Sequence, residues 1–151
     1  MSGRMKVAVL MGSANDKAKM APAVETLTDF GVEVEEHVMS AHRSPATVAA
    51  FARGARDAGF AALICGAGMA AHLAGAVAAQ TSLPVIGVPL SGGALNGVDA
   101  LYATVQMPRG IPVATVAVDG ALNAALLAVE ILAVTDASLA AKLGDYRDGW
   151  G

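Results

Sequence analysis

Short apolar runs alternate with longer stretches of helical spacing along the 151 residues. The strand-length runs are Lys6–Met11, Val32–Val38, Ala61–Cys65, Val85–Val88 and Val113–Val118. Between them the pattern predicts helices over Asp16–Phe30, Pro45–Asp57, Met69–Thr81 and Gly97–Gln106. A helix over Gly120–Val134 follows the fifth run, and a short amphipathic one over Ala137–Tyr146 comes last. Boundary residues agree with these spans. Gly31 stands where the first helix should stop, Pro45 suits a first helical turn, and Asp136 is placed to cap the last helix.

Apolar strands bounded by glycine, each feeding a helix, predict a parallel sheet covered on both faces. Right-handed crossovers then give an α/β fold, a doubly wound three-layer sandwich. Five strands favour the flavodoxin-like order 2-1-3-4-5, with the helix over Ala137–Tyr146 as a C-terminal addition. No linker, repeat or low-complexity tract divides the sequence, so residues 1–151 read as one domain.

Composition sharpens this picture. Hydrophobic residues make up 55% and charged residues 15%, and much of the apolar excess is alanine, as in 121-ALNAALLAVEILAV-134. Helices with so little charge to face water predict burial on several sides, which a homo-oligomer supplies. The stretch from Phe60 to Val88 is apolar on average, but Gly66, Gly68, His72, Gln80, Thr81 and Pro84 interrupt it, so it does not read as a membrane span. The run Val7–Met11 is too short for a secretory signal and meets Gly12 and Ser13 at once. The expectation is a soluble, cytoplasmic protein. A net charge of −3 and the lack of a basic stripe argue against nucleic acid. Cys65 is the single cysteine and reads as buried filler; the three histidines lack paired metal-ligand spacing.

Ligands of such sheets bind outside the carboxyl ends of the strands, near the switch in strand order. Three segments leave that edge: 11-MGSAND-16, 39-MSAHRSP-45 and 66-GAGMAAH-72. In the first, Gly12 permits a tight turn, Ser13 offers a hydroxyl and Asp16 a carboxylate. Two readings stand side by side: a capped helix start, with Asn15 or Asp16 as the cap, or a cradle for an anion whose ligand also carries hydroxyls. In the second, Arg43 is poorly placed for helix stability at a helix start, yet suited to bidentate phosphate binding. The imidazole of His42 can give and take protons, while Ser40 and Ala41 leave room for a ligand. In the third, Gly66 and Gly68 flank Ala67 and allow close backbone approach. His72, one turn into a helix among alanines, reads as a packed core or interface histidine, and His37 as structural. Arg109 in 106-QMPRGIP-112 reads as a surface charge or an inter-subunit contact.

The segments 10-LMGSANDKAKM-20, 39-MSAHRSP-45, 65-CGAGMAAHLAG-75, 84-PVIGVPL-90, 95-LNGVDAL-101, 105-VQMPRGIPVATVAV-118 and 123-NAALLAVEIL-132 together resemble the class I N5-carboxyaminoimidazole ribonucleotide (N5-CAIR) mutases of purine biosynthesis. The likeness runs from Met5 to Tyr146, with SAHR and VQMP its most specific blocks. It implies a flavodoxin-like subunit in a homo-octamer. It also implies a carboxylate shift that turns N5-CAIR into 4-carboxy-5-aminoimidazole ribonucleotide (CAIR) without ATP, metal or organic cofactor. Ser13, Asp16 and Arg43 fall on the family's substrate-binding positions and His42 on its proton-transfer position. The segment Gly66–Gly68 with His72 matches the family's site-lining stretch. A functional link to an ATP-dependent N5-CAIR synthetase is a further implication.

The sequence departs from that pattern at several places. The usual GAGGAAHLPG reads GAGMAAHLAG, so Met69 replaces glycine and Ala74 replaces proline. Met69 is expected to turn its side chain away from the ligand. Asn15 and Ala100 each replace a usual serine, and a terminus at Gly151 implies a shorter arm for inter-subunit contacts. A related carboxylase that uses aminoimidazole ribonucleotide and free CO2 is the nearest rival; it typically has lysine where Arg43 stands. A flavin-binding module on the same fold lacks an evident aromatic to sandwich the ring, since Trp150 is near the terminus and Tyr102 belongs to a helix.

Overall fold

The computed structural model describes residues 5–150. Strands β1 (Lys6–Met11), β2 (Glu33–Val38), β3 (Phe60–Gly68), β4 (Val85–Leu90) and β5 (Ala114–Thr115) form one parallel sheet. Its order is β2-β1-β3-β4-β5, the order expected from the alternating pattern. The helices are α1 (Lys17–Asp29), α2 (Pro45–Gly54), α3 (Leu73–Ala78), α4 (Val98–Val105), α5 (Ala121–Ala133) and α6 (Ala137–Asp148).

The period-two alternation of each strand divides the core into two layers. Val7, Val9 and Met11 of β1, with Ile64 of β3 and Ile86 and Val88 of β4, meet Met20, Ala23 and Leu27 of α1 and the alanine face of α5. Ala8 and Leu10, with Leu63 and Cys65, meet Val48 and Ala52 of α2 and Leu73, Ala74 and Val77 of α3. Alanine is what lets α5 lie close: Ala121, Ala124, Ala125 and Ala128 are all fully buried. Helix α6 then covers α5 through Leu139.

Terminal signals act as expected. Gly31 has φ of +76°, a left-handed conformation that suits glycine and stops α1. Pro45 opens α2, and the Asp136 carboxylate accepts the Leu139 N–H at 3.1 Å to cap α6.

Several boundaries differ from the sequence reading: α2 stops at Gly54 rather than Asp57, α3 at Ala78 rather than Thr81, and β4 runs on to Leu90, while three further differences have a local cause. Strand β3 runs on to Gly68, since Gly66, Ala67 and Gly68 pair with Val88, Pro89 and Leu90 of β4. The stretch read as a glycine loop is therefore largely strand. Helix α3 starts at Leu73, not Met69, because Met69 has φ of +50° and breaks the chain direction first. The fifth strand shrinks from the expected Val113–Val118 to Ala114–Thr115. It is an edge strand with a partner on one side, and Pro112, lacking an N–H, limits the ladder. Gly151 lies outside the described residues.

Candidate active site

Hydrogen bonds draw the exits of β1, β2 and β3 together. The Gly12 N–H donates to the Gly66 carbonyl at 3.2 Å, and the Met39 N–H to the Met11 carbonyl at 2.9 Å. Three chain segments therefore leave the sheet side by side, next to the switch between β1 and β3. They enclose an open cavity of 430 Å³, a size suited to a small nucleotide-like ligand.

The first segment supplies Gly12, Ser13 and Asp16 to the cavity wall. Gly12 is not in the left-handed region; lacking a side chain, it leaves open space toward Ala67. Ser13 caps a short 3-10 turn over Ala14–Asp16, its Oγ accepting the Asn15 N–H at 3.2 Å. The hydroxyl proton remains available to an anion. Asp16 makes no side-chain capping bond, so the cap is Ser13 rather than Asn15 or Asp16. Burial pushes the Asp16 carboxyl above its ordinary value, opposed by the charge of Lys19 and by the Ser13 backbone.

The second segment is a turn locked by its serines. The Arg43 N–H donates to Ser40 Oγ at 3.1 Å, and the Ser44 hydroxyl donates to the Ser40 carbonyl at 3.0 Å. The Ser40 N–H returns a bond to Ser44 Oγ at 3.2 Å. This braces the backbone on both sides of His42 and Arg43 while their side chains stay exposed. Both line the cavity, as do Ser40 and Ala41.

The third segment adds Ala67, Gly68 and His72. His72 is the residue preceding α3, not one turn inside it, and is exposed rather than packed among alanines. Its ring lies almost parallel to that of His42, with centroids 5.5 Å apart and planes 11° from each other. Gly66 stands apart from the cavity wall. Its missing side chain serves packing instead, because a Cβ there would come within 2.3 Å of Met20 Sδ in the core. Met69 lines the cavity, but its Cγ and Sδ lean on Gly93, each 3.3 Å from where a Cβ would stand. Gly93 itself has φ of +68°.

Other residues sort themselves by surroundings. Burial pushes the Cys65 thiol far up, leaving it protonated and inert. His37 bonds Glu35 at 3.1 Å and packs on Phe51, outside the cavity. Among the described residues no group of three or more His, Cys, Asp or Glu is placed to hold a metal ion. Sequence reasoning passed over Lys19, Ser91 and Asp119, which form a hydrogen-bonded cluster at the exit of β4. Their one sequence signal is a charge in each of two loops or helix starts near strand exits. Nothing in the sequence links them.

Against known proteins, the family described as AIR carboxylase matches residues 6–150. An N5-carboxyaminoimidazole ribonucleotide mutase of Pyrococcus abyssi is 51% identical over 97% of this chain and 84% of its own length. One of Saccharolobus solfataricus is 52% identical over 95% of this chain and 90% of its own. The phosphoribosylaminoimidazole carboxylase of Saccharomyces cerevisiae is 51% identical over 93% of this chain, which corresponds to 24% of that longer protein. In three dimensions, Treponema denticola PurE superposes with a TM-score of 0.88 at 28% identity, covering 97% of this chain and 91% of that one. The chain belongs to the AIR carboxylase family.

Proposed function

We propose that this protein is an N5-CAIR mutase, an isomerase that converts N5-CAIR to CAIR in de novo purine (IMP) biosynthesis. The observation that carries the reading is that His42 and Arg43 open into one cavity with Ser13 and Asp16, at the exits of β1 and β2. Relatives named as mutases, about half identical over nearly the whole chain, supply the substrate class.

The chemistry follows from the groups present. His42 donates a proton to the exocyclic nitrogen of the substrate, and the carbamate C–N bond breaks to give CO2 and the aminoimidazole. The pocket holds CO2 close while a bond forms between its carbon and ring carbon C4. His42, now neutral, removes the C4 proton, which restores aromaticity and its own starting state. One imidazole thus serves both transfers, and no net proton is consumed. The near-parallel His72 ring limits the planes that His42 can adopt. Arg43 grips the phosphate with its guanidinium fork, and Ser13 adds a hydroxyl donor. Asp16, whose carboxylate is uncommitted, accepts from the ribose hydroxyls. Gly12, Ser40, Ala41, Ala67 and Gly68 contribute small surfaces that let the ring sit flat against backbone; Gly66 supports this wall from behind.

Residues 1–151 act as a single mutase domain, working in the cytoplasm as a homo-octamer and receiving substrate from an ATP-dependent N5-CAIR synthetase. Assembly is supported by the outer face of α4 and the loop before it, where Leu95, Val98, Tyr102 and Val105 are all exposed. No helix among the described residues is long and apolar enough to cross a membrane.

The test is CAIR formation followed by ultraviolet absorbance, with N5-CAIR alone or with aminoimidazole ribonucleotide plus bicarbonate. The expected result is turnover of N5-CAIR without nucleotide or added metal, at a rate in the ordinary enzyme range of roughly 1–1,000 per second. CAIR made only from aminoimidazole ribonucleotide and bicarbonate would assign the protein to the carboxylase reaction instead.

A further inference from the structure

The cavity wall carries one large apolar side chain that the core does not hold. Leu73 also lines the cavity but is only 2% exposed, whereas Met69 is 60% exposed. The Met69 backbone is strained as well. Its φ of +50° lies in the left-handed region, which glycine enters freely and other residues enter at a cost. Neither backbone preference nor burial therefore favours a methionine at this turn. What the side chain does is reach across to the next strand exit. Its Cγ and Sδ each lie 3.3 Å from where a Cβ of Gly93 would stand, so the thioether rests on bare backbone between β4 and α4.

That segment runs from Ser91 to Gly97, and Gly92, Gly93 and Gly97 all have positive φ, of +142°, +68° and +95°. Its base is fixed. The Ser91 N–H donates to Asp119 Oδ1 at 2.9 Å, and the Lys19 ammonium donates to Ser91 Oγ at 3.2 Å. Beyond Ser91 the backbone has less to hold it: the Asn96 N–H reaches the Gly93 carbonyl only at 3.4 Å. The thioether thus rests on the part of the segment that its base does not secure.

We propose that Met69 closes the cavity on its β4 side and so retains the CO2 released from the substrate until it recombines at C4. The inference rests on the mutase reading, which requires that retention. CO2 is small, uncharged and without a dipole, so it is held by an unbroken wall rather than by hydrogen bonds. A methionine side chain, flexible and polarisable, fills an irregular gap of this kind. Without it, the bare backbone at Gly93 faces a bare turn across an opening. Escaped CO2 is hydrated to bicarbonate in solution, and aminoimidazole ribonucleotide leaves with the proton that His42 gave its exocyclic nitrogen. A retained CO2 instead yields CAIR carrying the substrate's own carbon.

Label exchange on the full chain tests this with Met69→Gly and Met69→Leu. N5-CAIR is turned over in buffer holding carbon-13 bicarbonate and carbonic anhydrase, and mass spectrometry reads the labelled fraction of CAIR at short times. Aminoimidazole ribonucleotide released is measured alongside, less the enzyme-free loss. Met69→Gly is expected to raise both the labelled fraction and the aminoimidazole ribonucleotide released per CAIR about fivefold. Met69→Leu, which conserves apolar volume, stays within about twofold of the native protein. Because glycine relieves the strained turn, Met69→Gly keeps its melting temperature within about 3 °C and its mass in solution unchanged. A lower melting temperature or a smaller assembly would make Met69 a structural residue and overturn the proposal, as would escape that Met69→Leu shares. A native protein that makes no CAIR from N5-CAIR overturns the mutase reading and this inference together. Equal labelling by the native protein and Met69→Gly overturns this inference alone.

Discussion

Burial at the cavity gives Asp16 a folded-state pKa above its ordinary value of 3.8, against the pull of Lys19 and the Ser13 backbone. The fold then binds that proton more tightly than the unfolded chain does, so ionising Asp16 costs stability. The cost is absent below the ordinary value and grows as pH rises through the folded one. Asp16→Asn should therefore stabilise the protein slightly near pH ~7 and leave it unchanged near pH ~3. Melting temperatures at the two pH values check this; a loss at neutral pH would mean that the carboxylate holds the fold together. Ser13, Asp16, His42 and Arg43 were legible in the sequence because each is a polar group in a segment leaving a strand. The helical pattern alone misread His72, since it extended back to Met69 and hid the bend that exposes the imidazole, whereas the family likeness had put His72 in the site-lining stretch. Lys19 and Asp119 were illegible because their meaning comes from Ser91, distant from Lys19 in sequence. Met69 stood out as a bulky residue, but only the structure shows Gly93 making room for it.

At the scale of elements, β4 shows why position decides what a glycine does. A Cβ at Gly87 would come within 2.4 Å of Thr104 Cγ2, 2.9 Å of Val113 Cγ1 and 3.3 Å of Ala74 Cβ. Helices α3 and α4 and the approach to β5 meet over that one missing side chain. Thr104 is buried there, its hydroxyl donating to the Ala100 carbonyl at 2.7 Å, so it cannot swing aside without losing that bond. Gly87→Ala is expected to destabilise the fold by about 2 kcal/mol, the usual scale for overpacking a tight core. Urea unfolding measures it, and a variant as stable as the native chain would show that α4 yields easily. The central strands β1 and β4 were readable from sequence because burial on both faces writes a continuous apolar run. Boundaries at β3, α3 and β5 were not, since they depend on backbone pairing and a single positive φ rather than on hydrophobic period.

For the molecule as a whole, strand order and layer assignment followed from alternation and right-handed crossover, and order in turn placed the site at the β1–β3 switch. What a single copy leaves unexplained is its outer surface. The stripe Leu95, Val98, Tyr102 and Val105 continues from the loop whose Gly93 supports Met69 at the cavity rim. That stripe is apolar surface which a partner could cover, next to the loop at the cavity rim. The proposed proton transfers all depend on the imidazole in the cavity. The most direct measurement is single-turnover conversion of N5-CAIR by the native protein and His42→Asn, with calorimetric binding of substrate or product to each. Binding within about threefold and a rate lowered roughly 100- to 10,000-fold are predicted, the loss typical of removing a general acid–base. A His42→Asn protein that turns over at the native rate would contradict the account.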